Sequence, residues 1–189
     1  SVKRKQFAPK GFENYDFGVV DETKYEKEQR NGITDAKGES KQIFEIPKDY
    51  ENKGLLEGKI LVSVFDETGR PVHRLQTFEI NTQKQFFGIR QPSYFVGTNQ
   101  PMSMDFVSLN IAGQPVASQG VMEIVLLDYQ TLLEKTENGL RYVSRKKEKL
   151  IKSVDLSFAG KNIAQNFIPK ISGEYEIRVH EKNSLSYVS

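Results

Sequence analysis

Apolar and polar residues alternate along most of the chain, the period that puts successive side chains on opposite faces of a strand. Residues 173–180 show it most clearly. Tyr175, Ile177 and Val179 fall on one face, and Glu174, Glu176, Arg178 and His180 on the other. This pattern predicts a half-buried strand. The same alternation predicts strands over residues 60–65, 121–128, 154–158 and 163–167, each ended by glycine, proline or polar turn residues. No stretch shows a clear helical period. Within residues 131–149 the string Leu132-Leu133-Glu134-Lys135 suits a helix, but Asn138-Gly139 is a strong hairpin dipeptide, so a hairpin is predicted.

One strand-and-turn unit occurs twice. Ser63-Val64-Phe65-Asp66-Glu67-Thr68-Gly69-Arg70-Pro71-Val72 and Val107-Ser108-Leu109-Asn110-Ile111-Ala112-Gly113-Gln114-Pro115-Val116 each run from a strand into a glycine turn, with Pro-Val expected to start the returning strand. The two glycines lie too close in sequence for a domain repeat, so this is a reused hairpin type. A polar stretch, Asn81-Thr82-Gln83-Lys84-Gln85, separates a strand ending at Ile80 from the apolar Phe86-Phe87-Gly88-Ile89. It marks a boundary. Residues 1–82 are expected to form a first, small or incomplete β-sandwich. Residues 83–189 form a second, close to the roughly 100 residues of an immunoglobulin-like domain.

Composition narrows the function classes. The chain has 27 basic and 25 acidic residues for a net charge of +2, too balanced to predict a nucleic-acid partner. No apolar run approaches the roughly 20 residues of a membrane span. With no cysteine, disulfides, thiol nucleophiles and cysteine-ligated zinc are excluded, and packing and strand pairing must hold the fold. The first residue is Ser1 and no signal peptide is present, so the sequence reads as a fragment of a longer protein.

Candidate chemistry is sparse. Only His73 and His180 could serve as bases near neutral pH, and both are expected to be exposed strand residues. Asp21-Glu22 and Asp66-Glu67 lack the oxygen-ligand spacing of a calcium loop, and turn chemistry accounts for them. The run Arg145-Lys146-Lys147-Glu148-Lys149 reads first as a solvated hairpin end; the sharper alternative is a basic, protease-accessible loop or a contact for an acidic partner. Phe86, Phe87, Ile89, Tyr94 and Phe95 open the second module and are expected to pack in its core, the alternative being an exposed interaction patch. No catalytic, cofactor-binding or metal-binding residue is assigned.

Several strings, taken in order, resemble bacterial alpha-2-macroglobulins, large envelope proteins akin to the eukaryotic protease-trapping inhibitors. They are residues 11–22 (Gly-Phe-Glu-Asn-Tyr-Asp-Phe-Gly-Val-Val-Asp-Glu), Ile33-Thr34-Asp35-Ala36-Lys37-Gly38, Phe86-Phe87-Gly88-Ile89, residues 106–117, and Ile171-Ser172-Gly173-Glu174-Tyr175. The resemblance implies tandem macroglobulin-like domains lying just before the family's bait region. It further implies that this stretch is scaffold, not an enzyme, and needs no cofactor. Its partners would be neighbouring domains of the parent chain and the parent's target proteases, in the periplasm or cell envelope. Thioester-bearing members carry a Cys-Gly-x-x-Glu-Gln motif, which a cysteine-free chain cannot contain.

The expected fold is therefore all-β, two consecutive antiparallel β-sandwich domains of the macroglobulin type. The expected role is a structural part of a protease-trapping inhibitor. The alternative is an adhesion or ligand-binding module of a surface protein, since tandem sandwiches support many functions.

Overall fold

The computed structural model describes residues 1–91, 93–136 and 139–189, so Asn138 of the predicted turn lies outside the described residues. The chain is all-β and every strand pairing is antiparallel. It divides into two compact units. One is Ser1–Phe7 with Asp21–Lys84, the other Ala8–Val20 with Gln85–Ser189.

In the first unit, β1 (Val2–Lys5), β3 (Leu55–Phe65) and β4 (Pro71–Asn81) form one sheet in the order β1-β3-β4. Leu56, Ile80 and Tyr50, with Val2 and Tyr25 against them, make a small core at the base of this sheet. The Tyr25 and Tyr50 rings meet edge to face at 5.1 Å. Tyr50 closes a 3-10 turn, Lys48–Tyr50, that follows Pro47. Asp21 anchors the other side: it pairs with Arg4, lies 4.0 Å from the Lys53 ammonium, and accepts the Thr23 amide at 2.6 Å. Past Ile60 the β3–β4 hairpin continues as a two-stranded ribbon with Leu61, Val62, Val64, Phe65 and Val72 exposed.

The second unit is a sandwich of two sheets. The larger runs in the order β2-β11-β10-β7-β8, from β2 (Val19–Val20), β11 (Tyr187–Val188), β10 (Glu174–His180), β7 (Ala117–Thr136) and β8 (Gly139–Ala159). The smaller is β5-β6-β9, from β5 (Phe86–Arg90), β6 (Met102–Leu109) and β9 (Ile163–Phe167). Alternate residues of both sheets interdigitate: Phe87, Ile89, Met104, Phe106 and Phe167 face Met122, Ile124, Leu156, Phe158, Ile177 and Val179. The outer face of β5 and β6 is buried as well. Phe17 crosses it, and a bridge between Asp16 and Ile89, with hydrogen bonds of 2.8 and 2.9 Å, fixes that crossing.

Three turns share one construction. Asp35, Asp66 and Asn110 each accept, through Oδ1, the backbone amides two and four residues on, at 2.9 to 3.0 Å. In each, the glycine three residues on takes a left-handed φ (78°, 79° and 76°) and donates to the carbonyl of the first residue at 2.9 Å. In the Asp66 turn, Pro71 and Val72 do start the returning strand, β4. The Asn110 turn behaves differently from the expectation. Val116 bonds back to the Ser108 carbonyl at 2.9 Å, and the chain then crosses to the larger sheet as β7.

Candidate functional site

A network of paired charges lies on the outer face of the larger sheet. Strand β10 is flanked by both β7 and β11, so its polar face is enclosed by neighbours on either side. Arg178, only 11% exposed, bonds Glu176 on its own strand and reaches Glu148 of β8 at 2.8 Å, across β7. Its guanidinium sits 4.5 Å from the centre of the Tyr187 ring. Lys146 approaches Glu148 at 2.8 Å from the other side. Beyond them, His180 Nε2 lies 3.6 Å from Glu123, and its Nδ1 meets the Glu181 carbonyl at 2.8 Å.

The electrostatics of this group are those of a lock. Hydrogen bonds from Arg178 and then Lys146 hold the Glu148 carboxyl down to about 2. Burial works against the charge on Arg178, yet its bonds to Glu148 and Glu176 outweigh burial and raise its pKa. Neither group exchanges a proton near neutral pH. The pair therefore cannot act as a general acid or base there.

The residues singled out in the sequence do not converge. His73, in the first unit, is exposed and pairs across the ribbon with the Ser63 hydroxyl at 2.8 Å. His180 is half-buried rather than exposed, because a central strand presents its outer face between two neighbours. Asp66 shapes its turn and Asp21 pairs with Arg4, so both acidic candidates have structural partners. No cluster able to hold a metal occurs among the described residues. Among them, no helix is long and apolar enough to cross a membrane.

Two further expectations need correction. The run Arg145–Lys149 is not a hairpin end; it lies within β8 and pairs residue by residue with β7, because the hairpin is far longer than its turn dipeptide indicates. The aromatic group at the start of the second module divides. Phe86, Phe87 and Ile89 are buried in β5, whereas Tyr94 and Phe95 are 86% and 91% exposed. They follow the strand in an irregular stretch where Ser93 caps the Phe95 amide at 3.2 Å.

These paired charges sit on an antiparallel β-sandwich, the class of domain that the fold defines. Comparison with known proteins relates part of the chain to a family. Residues 1–81 match the family model for the bacterial alpha-2-macroglobulin MG5 domain. The resemblance read in the sequence thus holds for this stretch.

Solved structures agree on the fold. The crystal structure of Salmonella alpha-2-macroglobulin reacted with methylamine matches at a TM-score of 0.52 with 18% identity. A cryo-EM reconstruction of the native conformation of E. coli alpha-2-macroglobulin matches at 0.51, also with 18% identity. Each alignment covers 71% of this chain and 10% of the other, so the chain spans about a tenth of the length of the proteins it resembles. Comparison with curated proteins gives no match.

Proposed function

We propose that the chain is a section of the rigid β framework of a bacterial alpha-2-macroglobulin-type protease trap, made of two macroglobulin-like domains near residues 1–82 and 83–189, with residues 8–20 packed in the second. The observation that carries this reading is the MG5-domain match over residues 1–81, together with the bacterial alpha-2-macroglobulin-like fold. In the whole protein a target protease would cut an exposed bait segment. The assembly would then rearrange around the enzyme, while these domains kept their shape and transmitted the movement. The chain performs no catalytic step in this reading. Its partners are neighbouring domains of the same protein and, through them, the trapped protease, in the periplasm or cell envelope.

The experiment uses the full-length parent protein. It is mixed with a protease, and the mixture is assayed on a small chromogenic substrate and on a large protein substrate. A single early cut, followed by loss of activity on the large substrate alone, is the expected result. Unchanged activity on both substrates after the cut overturns the trap. Potent inhibition by the isolated 189-residue chain would overturn its role as framework.

A further inference from the structure

The β7–β8 hairpin outgrows its sheet. Strand β10 pairs with β7 only through residues 121–127, so from Asp128 onward β7 and β8 run as a two-stranded ribbon. Among the described residues, strand β8 is also the edge of the sheet and is bonded to β7 alone. Over residues 141–149, no strand among the described residues pairs with its second backbone edge, whose N–H and C=O groups alternate along the strand.

Side chains on this edge strand are sorted by face. Arg141, Arg145, Lys147 and Lys149 share one face by the two-residue period, with alternate positions about 7 Å apart, and all are exposed. Arg145 pairs with Glu134. Among the described residues, none of the ion pairs engages Arg141, Lys147 or Lys149. On the opposite face lie Leu140 and Tyr142 of β8 with Leu133 of β7; Tyr142 is 78% exposed. Lys146 on that face is already committed to Glu148.

We propose that the free edge of β8 over residues 141–149 is a docking site for an extended acidic polypeptide segment, which adds to the sheet as a further strand. Backbone pairing supplies the attachment, as in other cases of strand addition. The cation ladder selects the partner: Asp or Glu at alternate positions of the incoming strand meet Arg141, Lys147 and Lys149, and apolar residues between them meet Leu140 and Tyr142. The same charges exclude a second copy of this chain, since two β8 edges side by side would bring like charges together.

The test measures binding of a fluorescein-labelled peptide alternating Glu and Val to the 189-residue chain by fluorescence anisotropy. Binding is expected to weaken with added salt. The double variant Lys147→Glu/Lys149→Glu, checked for an unchanged melt, is expected to weaken it roughly tenfold or more. Peptides N-methylated at alternate amides then probe the backbone. One methylation set removes the donors that face β8 and should abolish binding; the complementary set should leave it intact. Absence of binding, equal behaviour of the two sets, or equal affinity for a scrambled peptide or for heparin would each overturn the proposal.

Discussion

Phe17 occupies the space that a side chain on Gly88 would need: a Cβ built on Gly88 lies 2.5 Å from the Phe17 ring. Residues 8–20 are thereby seated on the outer face of β5 and β6, and the glycine is required for that approach, not for its backbone angle. Gly88→Ala is expected to destabilise the second unit by about 1–3 kcal/mol, the usual cost of overpacking. Phe17→Ala should cost about 3 kcal/mol on its own by leaving a cavity. In the double variant the added methyl enters vacated space, so urea denaturation should give less than the sum of the two. Simple additivity would show that the ring and the glycine are not coupled.

The ion lock on the outer sheet face predicts a pH dependence. Glu148 ordinarily titrates near 4.5 and is held to about 2 in the fold. A depressed carboxyl pKa adds stability above the unfolded value, and that stability is lost as pH falls toward the folded one. Thermal melts should therefore show the wild type losing stability between about pH 4.5 and 2 more steeply than Glu148→Gln. Arg178→Ala should flatten the same window. Identical profiles for all three proteins would remove the lock.

Two glycines with similar left-handed φ should differ in their tolerance of alanine. At Gly160 (φ 71°) a new Cβ meets only the Pro115 carbonyl at 3.9 Å, so Gly160→Ala should cost the backbone strain alone, about 1 kcal/mol. At Gly113 (φ 76°) the Cβ would also press on Pro9 at 3.0 Å. Gly113→Ala is expected to cost more in the same denaturation assay. Equal costs would mean that Pro9 yields freely.

Brief trypsin digestion should separate two basic stretches. Residues 22–47 have no strand and are almost wholly exposed, with Lys24, Lys27, Arg30, Lys37 and Lys41 within them. Arg145–Lys149 is held in the β7–β8 ladder, where cleavage requires local opening. Mass spectrometry of the first fragments should place the early cuts in residues 22–47. Early cuts in β8 would contradict the strand pairing described for it.

The strand cores were legible because period-two alternation records which face is buried; Tyr175, Ile177 and Val179 do point inward or lie half-buried. Turn chemistry was legible too, since Asp66 and Asn110 act through their own backbone neighbourhood. What pairing over long distance decides was not legible. Nothing local marks residues 8–20 as belonging with the second unit, because Asp16 finds Ile89 only once both segments are placed. His180 reads as an exposed residue in the sequence, as a strand's polar face is indistinguishable there from one enclosed between two neighbours. Tyr94 and Phe95 are aromatic like Phe86 and Phe87, but only the latter pair lies in a strand.

The framework reading is tested most directly by hydrogen exchange on the full-length parent protein before and after cleavage by a protease, with its hydrodynamic radius measured in parallel. The account predicts that the radius falls on cleavage while the amides of residues 121–127 and 174–180, paired in the β7–β10 ladder, keep their protection throughout. Loss of protection in that ladder on cleavage, or an unchanged radius, would contradict it.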